Sequence, residues 1–338
     1  MAVKPYISFV VTSRNDQHGH HLQERTALFM RGLITQCTRF GLAAELIVVE
    51  WNPPPQAPPL AEVLPKPPAG CPLAVSYLTV PAHIHRRYRL AHQMGLYQMI
   101  AKNAGIRRAN ADFVLCTNVD LLFSDDLMAF LARKKLQPDT LYRADRCDVP
   151  NTLLQHPHLP IEQQLQWCSR HITKRHTRNR LLLAPLNALI CADKQVFKRY
   201  LKRRLPLLYL LHLATDACGD FTLLHKNVWN KIQGYPELDL YSAHIDTLGI
   251  AAAIAIGCKQ VQLPRRACVY HIHHADGWAS LSPIQKLQYV ENHPALGLDT
   301  ALQAALHCLK HQTTYQINTP HWGLATENLP HTTITPAP

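Results

Sequence analysis

The chain has 338 residues, 47% of them hydrophobic and 17% charged, an ordinary globular composition with material for a substantial core. Lys and Arg exceed Asp and Glu by 12 (35 against 23), which suits an anionic partner such as a nucleotide, a phosphate-rich lipid surface or nucleic acid without choosing among them. No run of about 18 apolar residues occurs, which argues against a membrane-spanning helix, and ten scattered cysteines with no C-x-x-C pair predict buried reduced thiols rather than a disulfide framework.

Lys4-Pro5 leads directly into a strand-like run with no long apolar leader, so a cytoplasmic protein is expected. The run YISFVVTSRND (6–16) predicts a strand ending in small and polar residues. Apolar residues at helical spacing over 23–41 predict a helix that Gly41 stops, and AAELIVVEWNPPP (43–55) predicts a second buried strand. Strand, helix, strand in this order points to a parallel sheet. A proline-rich loop follows over 53–68, then a third strand (73–81) and a helix (95–111).

The next stretch, ADFVLCTNVDLLFSDDL (111–127), places Asn118 and Asp120 between two apolar runs. A carboxylate so close to the interior requires a partner, because an unpaired buried charge is costly. The middle, 128–215, shows helical patches and two basic clusters at 170–180 and 198–204, the second followed by the apolar LPLLYLLHL. Residues 218–257 predict a strand-like entry, a helix, a Gly-Tyr-Pro turn and another helix from about residue 245, and 259–274 predicts a strand. The last thirty residues, rich in Thr, Pro and His, predict a loosely ordered tail.

In alternating α/β proteins, ligands bind outside the carboxyl ends of the strands. Three predicted strands end in polar residues: Ser13-Arg14-Asn15-Asp16, Glu50-Trp51-Asn52 and Asn118-Val119-Asp120. The order and spacing of these pieces resemble glycosyltransferases of the GT-A fold. IAKNAGIRRANADFVL, running into a D-x-D-like end, is similar to the passage common in family 2 enzymes. The segment GDFTLLHKNVWNKIQGYPELDLYSAHIDTL is similar to the acceptor-side segment of galactosyltransferase-like enzymes, although Ala243-His244-Ile245-Asp246 stands in place of their acidic motif. VYHIHH falls where those enzymes place a histidine ligand for a metal.

The resemblance spans about residues 6 to 275. It implies a Rossmann-like GT-A fold, a mixed and mostly parallel sheet flanked by helices, over 1–280. The donor-binding half would be about 1–127, the acceptor-side half 128–280, and 281–338 a partly loosely ordered extension. It implies Mn²⁺ or Mg²⁺ held by Asp120 and His271, and Asp246 as the base. Ser13, Arg14, Asn15, Glu50, Lys102, Asn103 and Asn118 would contact a UDP- or GDP-sugar donor. The transfer is expected to invert the anomeric carbon, with retention left open, and the acceptor, a glycan, lipid or small molecule, stays open.

Trp51 is expected to pack rather than stack on a base, and the loop histidines His18, His20 and His21 are read as incidental. His271 and His273 alternate along a predicted strand and so share a face, with His274 turned elsewhere. The basic clusters beside LPLLYLLHL allow peripheral contact with an anionic membrane at its inner face. Signatures of nucleic-acid recognition are missing. Two other functions remain open: a sugar-nucleotide pyrophosphorylase, against which TSRNDQHG lacks a Gly-rich phosphate loop, and a basic non-catalytic binding protein.

Overall fold

Strand β1 (Ile7–Ser13) is buried along its whole length, as is β2 (Ala44–Trp51), so both read as continuous apolar runs. The computed structural model of the protein describes residues 4–16, 20–177, 204–274, 293–315 and 317–336, with residues 282, 284, 285 and 288. His18, residues 178–180 of the first basic cluster and all of the second except Arg204 lie outside the described residues.

Between β1 and β2 runs α1 (Leu22–Phe40). Gly41 ends it in the left-handed conformation (φ 60°) and its N–H returns to the Cys37 and Thr38 carbonyls, a cap that suits a residue without Cβ. The short α2 (Leu60–Val63) lies in the proline-rich loop, and β3 (Leu73–Val80) is followed by α3 (Ala82–His85) and α4 (Gln98–Arg108). Strands β4 (Phe113–Cys116) and β5 (Leu121–Phe123) flank Asp120, and α5 (Asp125–Ala132) follows, capped by the Ser124 side chain.

The middle of the chain supplies β6 (Thr140–Arg143), β7 (Asp145–Val149), α6 (Ile161–Arg170) and β8 (Lys174–His176). After these come α7 (Pro206–His212), β9 (Thr222–His225), α8 (Lys226–Ile232) and α9 (Ile245–Ala255). Strands β10 (Lys259–Gln262) and β11 (Cys268–Ile272), helix α10 (Leu298–His311) and β12 (His331–Ile334) complete the described elements.

The fold is mixed α/β. One eight-stranded sheet has the order β10-β6-β9-β4-β1-β2-β3-β12, and only β9 and β12 run against the other six strands. Apolar cores cover both of its faces. One joins α4, α8, α9 and α10; the other joins α1 and α5. A second sheet, β5-β11-β7-β8, has its own apolar cluster around Leu122, Cys147, Leu153, Cys168 and Tyr270.

The apolar pattern around Asp120 follows from these two sheets. β4 belongs to the large sheet and β5 to the small one, so Thr117 to Asp120 form the crossing between them. Both flanking runs are core because each lies in a sheet.

The C-terminal region departs from expectation. The described part of the last thirty residues is no loose tail: Trp322 and Leu329 are buried and β12 pairs antiparallel with β3, after α10, which packs on α9. The Thr- and Pro-rich sequence hid this, because His331–Ile334 is an exposed edge strand whose pairing rests on backbone bonds rather than apolar pattern.

Candidate functional site

The parallel strands β1, β2 and β4 end at one edge of the large sheet, and Asp120 lies where the chain leaves that edge. Its carboxylate meets two imidazoles: Asp120 Oδ2 is 3.5 Å from His271 Nε2 and 3.2 Å from His274 Nε2. These three residues converge closely enough to hold one metal ion. The second imidazole was not foreseen. β11 ends at Ile272, so strict alternation stops there, and His274 rather than His273 joins His271 at Asp120. The H-x-x-H spacing was the available signal.

Burial alone would raise the Asp120 pKa, yet the His271 and His274 rings hold it well below the usual carboxylate range. Burial would likewise lower that of His271, but Asp120 and Asp148 push it up to about 9. The His271 Nδ1 lies 3.1 Å from Asp148 Oδ1, opposite it in the β11–β7 register. That contact fixes the ring with its Nε2 edge facing Asp120. A carboxylate behind a histidine is how metal-binding imidazoles are commonly oriented.

Asp148 is the hub of a buried network that sequence reasoning missed. Arg146 Nε donates to its Oδ1 at 2.7 Å, and His176 Nε2 donates to its Oδ2 at 2.9 Å. These partners hold the buried Asp148 carboxyl far below its ordinary range. His176 also faces Asp216 at 3.1 Å, and the two carboxylates raise its pKa. Arg146 Nη1 continues the chain to Asp220 Oδ2 at 2.8 Å. The sequence DRCDV gave little warning, because charged residues within a strand ordinarily mark a solvated edge.

Asp220 Oδ1 accepts from Asn118 Nδ2 at 2.6 Å, and Asn118 Oδ1 accepts from Lys102 Nζ at 2.9 Å and Gln98 Nε2 at 3.0 Å. Lys102 is fully buried and also donates to the Gly219 carbonyl at 2.8 Å. Burial lowers its pKa, while Cys116 and the nearby Asp220, Asp246 and Asp120 act in the opposite sense. Lys102 is thus positioned to brace Asn118 and the 218–220 turn from behind. Lys102→Ala is expected to destabilise the fold by about 1–3 kcal/mol, as measured by urea unfolding, since it leaves the buried Asn118 Oδ1 and Gly219 carbonyl short of a donor.

Gly219 brings Asp246 into the same neighbourhood. A Cβ at Gly219 would sit 3.0 Å from Asp246 Oδ2, a contact tight enough that the carboxylate would have to shift by a few tenths of an ångström. Asp246 itself is half-buried in the first turn of α9, where its Oδ1 accepts from the Thr247 N–H at 2.8 Å. Opposite, Arg25 on α1 is buried, with Nη1 3.5 Å from Asp120 Oδ2 and Nη2 donating to the His20 carbonyl. It ties the turn before α1 to the same carboxylate.

The other expected site residues are placed differently. Asn103, one position beyond Lys102, bonds to the Tyr235 backbone and to Glu237, and so holds the turn after α8. Ser13 is buried at the end of β1, and Arg14 Nε donates to the Asn52 carbonyl at 2.7 Å, joining the ends of β1 and β2. Asn15 Nδ2 donates to the Pro58 carbonyl at 2.7 Å. Trp51 is buried and donates to His85 Nδ1, within a cluster with Tyr88 and Tyr97.

Glu50 accepts from the Leu60 N–H at 3.1 Å and so caps α2; burial raises its pKa. A raised carboxyl stabilises the fold most below its unfolded pKa, near 4.3, and that contribution is lost as pH rises through the folded value. Glu50→Gln should therefore gain in stability relative to the native chain between pH 4 and pH 7. Thermal unfolding at both pH values reads this slope, and an unchanged difference would refute it.

No protein family and no curated protein matches this sequence. Among solved structures, the crystal structure of GalNAc-T7 with UDP, GalNAc and Mn²⁺ is similar at 11% sequence identity and a TM-score of 0.42. The match covers 82% of this chain and 45% of that one, so this chain spans less than half the length of that protein.

Proposed function

We propose that this protein is a metal-dependent glycosyltransferase of the GT-A type, moving a sugar from a nucleotide-sugar donor to an acceptor hydroxyl. The observation that carries the proposal is the meeting of Asp120, His271 and His274 at the carboxyl edge of a mostly parallel sheet. The donor set fits a divalent cation. Asp120 Oδ1 and His274 Nδ1 are buried with no hydrogen-bond partner, and the two Nε2 atoms converge on Asp120 Oδ2. One carboxylate with two imidazoles suits Mn²⁺ better than Mg²⁺.

Bound there, the cation would neutralise a donor diphosphate and support departure of the nucleoside diphosphate. Asp148 fixes the His271 ring, and Arg146 links Asp148 to Asp220 and so to Asn118. Ser13 to Asn15 and Glu50, at the ends of β1 and β2, are assigned to the nucleoside side. Asp246 is assigned as the base that takes the acceptor proton while the acceptor oxygen attacks the anomeric carbon, which inverts its configuration.

The test is affinity for UDP and GDP with Mn²⁺ and with EDTA, read by thermal shift. A nucleotide at about 100 times its dissociation constant should add roughly 2.7 kcal/mol of stability. Tighter binding with Mn²⁺ supports the proposal, and equal binding under both conditions rejects it.

A further inference from the structure

Seven large apolar side chains are strongly exposed among the described residues, and three of them, Leu205, Leu207 and Leu211, fall within seven positions at α7. Their relative exposures are 47%, 53% and 57%, so they are not marginal core residues. Leu207 and Leu211, four apart on a helix, share one face. The opposite side of the same segment is anchored: Tyr209, Leu210 and Leu213 are buried in the core, and α7 packs against α10. The helix is therefore held with Leu207 and Leu211 turned outward.

Charge accompanies this face. Arg204, exposed, immediately precedes Leu205. Leu211 also lines a cleft of about 220 Å³ with His176, Thr177, Arg143 and Asp216, and β8 brings the exposed Lys174 close to that cleft. Asp216, an acid in the lining, is paired with His176.

We infer that the exposed α7 face of Leu207 and Leu211, with the exposed Leu205 and Arg204 just before the helix, seats the protein on an anionic lipid surface. Leucines that enter the headgroup boundary next to basic side chains are the arrangement by which an interfacial helix combines apolar burial with attraction to anionic lipid. A second protein copy would need a complementary apolar patch but no anionic charge. Nucleic acid would use the basic groups but not the leucines.

The experiment is co-sedimentation of the full chain with vesicles of phosphatidylcholine alone and of phosphatidylcholine with about one-third phosphatidylglycerol. The expected result is binding to the anionic vesicles that weakens as salt rises, since exposed charges are screened within about 10 Å at 0.1 M. The double variant Leu207→Glu with Leu211→Glu, both at exposed positions, should lose about tenfold or more of that binding and keep the nucleotide affinity of the native chain. Arg204→Glu should weaken it by several-fold.

Absence of sedimentation with anionic vesicles at low salt overturns the inference. So does a double variant that sediments like the native chain, or one whose only change is loss of self-association. Salt-sensitive binding to an oligonucleotide that ignores the leucine changes, without vesicle binding, overturns it in favour of nucleic acid. Nucleotide affinity is measured on the same proteins, so a failed donor site leaves the vesicle result intact and the reverse.

Discussion

Asp120→Ala is expected to abolish the Mn²⁺-dependent part of nucleotide affinity while leaving the EDTA-resistant part. The residue faces both His271 Nε2 and His274 Nε2, so without it the two imidazoles have no carboxylate between them. Loss of the shared ligand should lower Mn²⁺ affinity by more than about 100-fold, since even groups behind a ligand cost 10–100-fold. Asp148→Asn tests that weaker class, because it touches His271 only through Nδ1.

Asp120 also lies 3.5 Å from the buried Arg25, and its removal leaves that guanidinium short of one anion. Some loss of stability is therefore expected, and urea unfolding measures it separately. His274→Asn guards against a folding artefact, because His274 is only partly buried and lies at the end of β11. It should lose Mn²⁺ dependence with little change in stability. If both variants bind UDP and GDP with native Mn²⁺ dependence, this cluster is not the metal site.

The sequence reading reached the first four strands and the helices α1 and α4, and the reason is physical. Strands covered on both faces carry unbroken apolar runs such as Ile7 to Val11 and Leu46 to Val49, with Ser8 as a buried exception bonded to Glu45. The second sheet was not legible because its strands come from distant segments and carry charge. β7 holds Asp145, Arg146 and Asp148, which look solvated in sequence and are satisfied only by partners such as Arg175, Asp220 and His271.

The candidate site shows the same division. Asp120 and His271 stand out in the sequence, as a carboxylate between apolar runs and a histidine inside a strand, and the fold brings the two together. Lys102, which the resemblance assigns to the donor, is buried with its ammonium on Asn118 and the Gly219 carbonyl. Asn103, the next residue on the helix, points about 100° away and holds the turn after α8. No local pattern could separate these two neighbours, since their roles depend on which distant segment meets each helix face. Arg146, Asp148 and Asp220 become visible only once β7 lies beside β11.

Asp246→Asn is expected to leave nucleotide affinity nearly unchanged and to reduce sugar transfer by about 10²–10⁴-fold, the usual scale for a lost general base. The two acids can be separated because they occupy different parts of the fold. Asp120 sits at the junction of the two sheets, whereas Asp246 opens α9 and reaches the site across Gly219. The asparagine keeps the size of the side chain and an oxygen for the Thr247 N–H, so the first turn of α9 should stay intact. What it loses is the capacity to accept a proton. Transfer is followed as release of nucleoside diphosphate with an added acceptor, and donor binding by thermal shift on the same protein. A variant that binds donor and transfers at the native rate removes Asp246 from the mechanism. His244, two residues earlier and held at a positive φ of 64° before α9, then becomes the group to replace. A variant that loses donor binding along with transfer instead moves Asp246 to the donor side, where Lys102 already lies within its electrostatic reach.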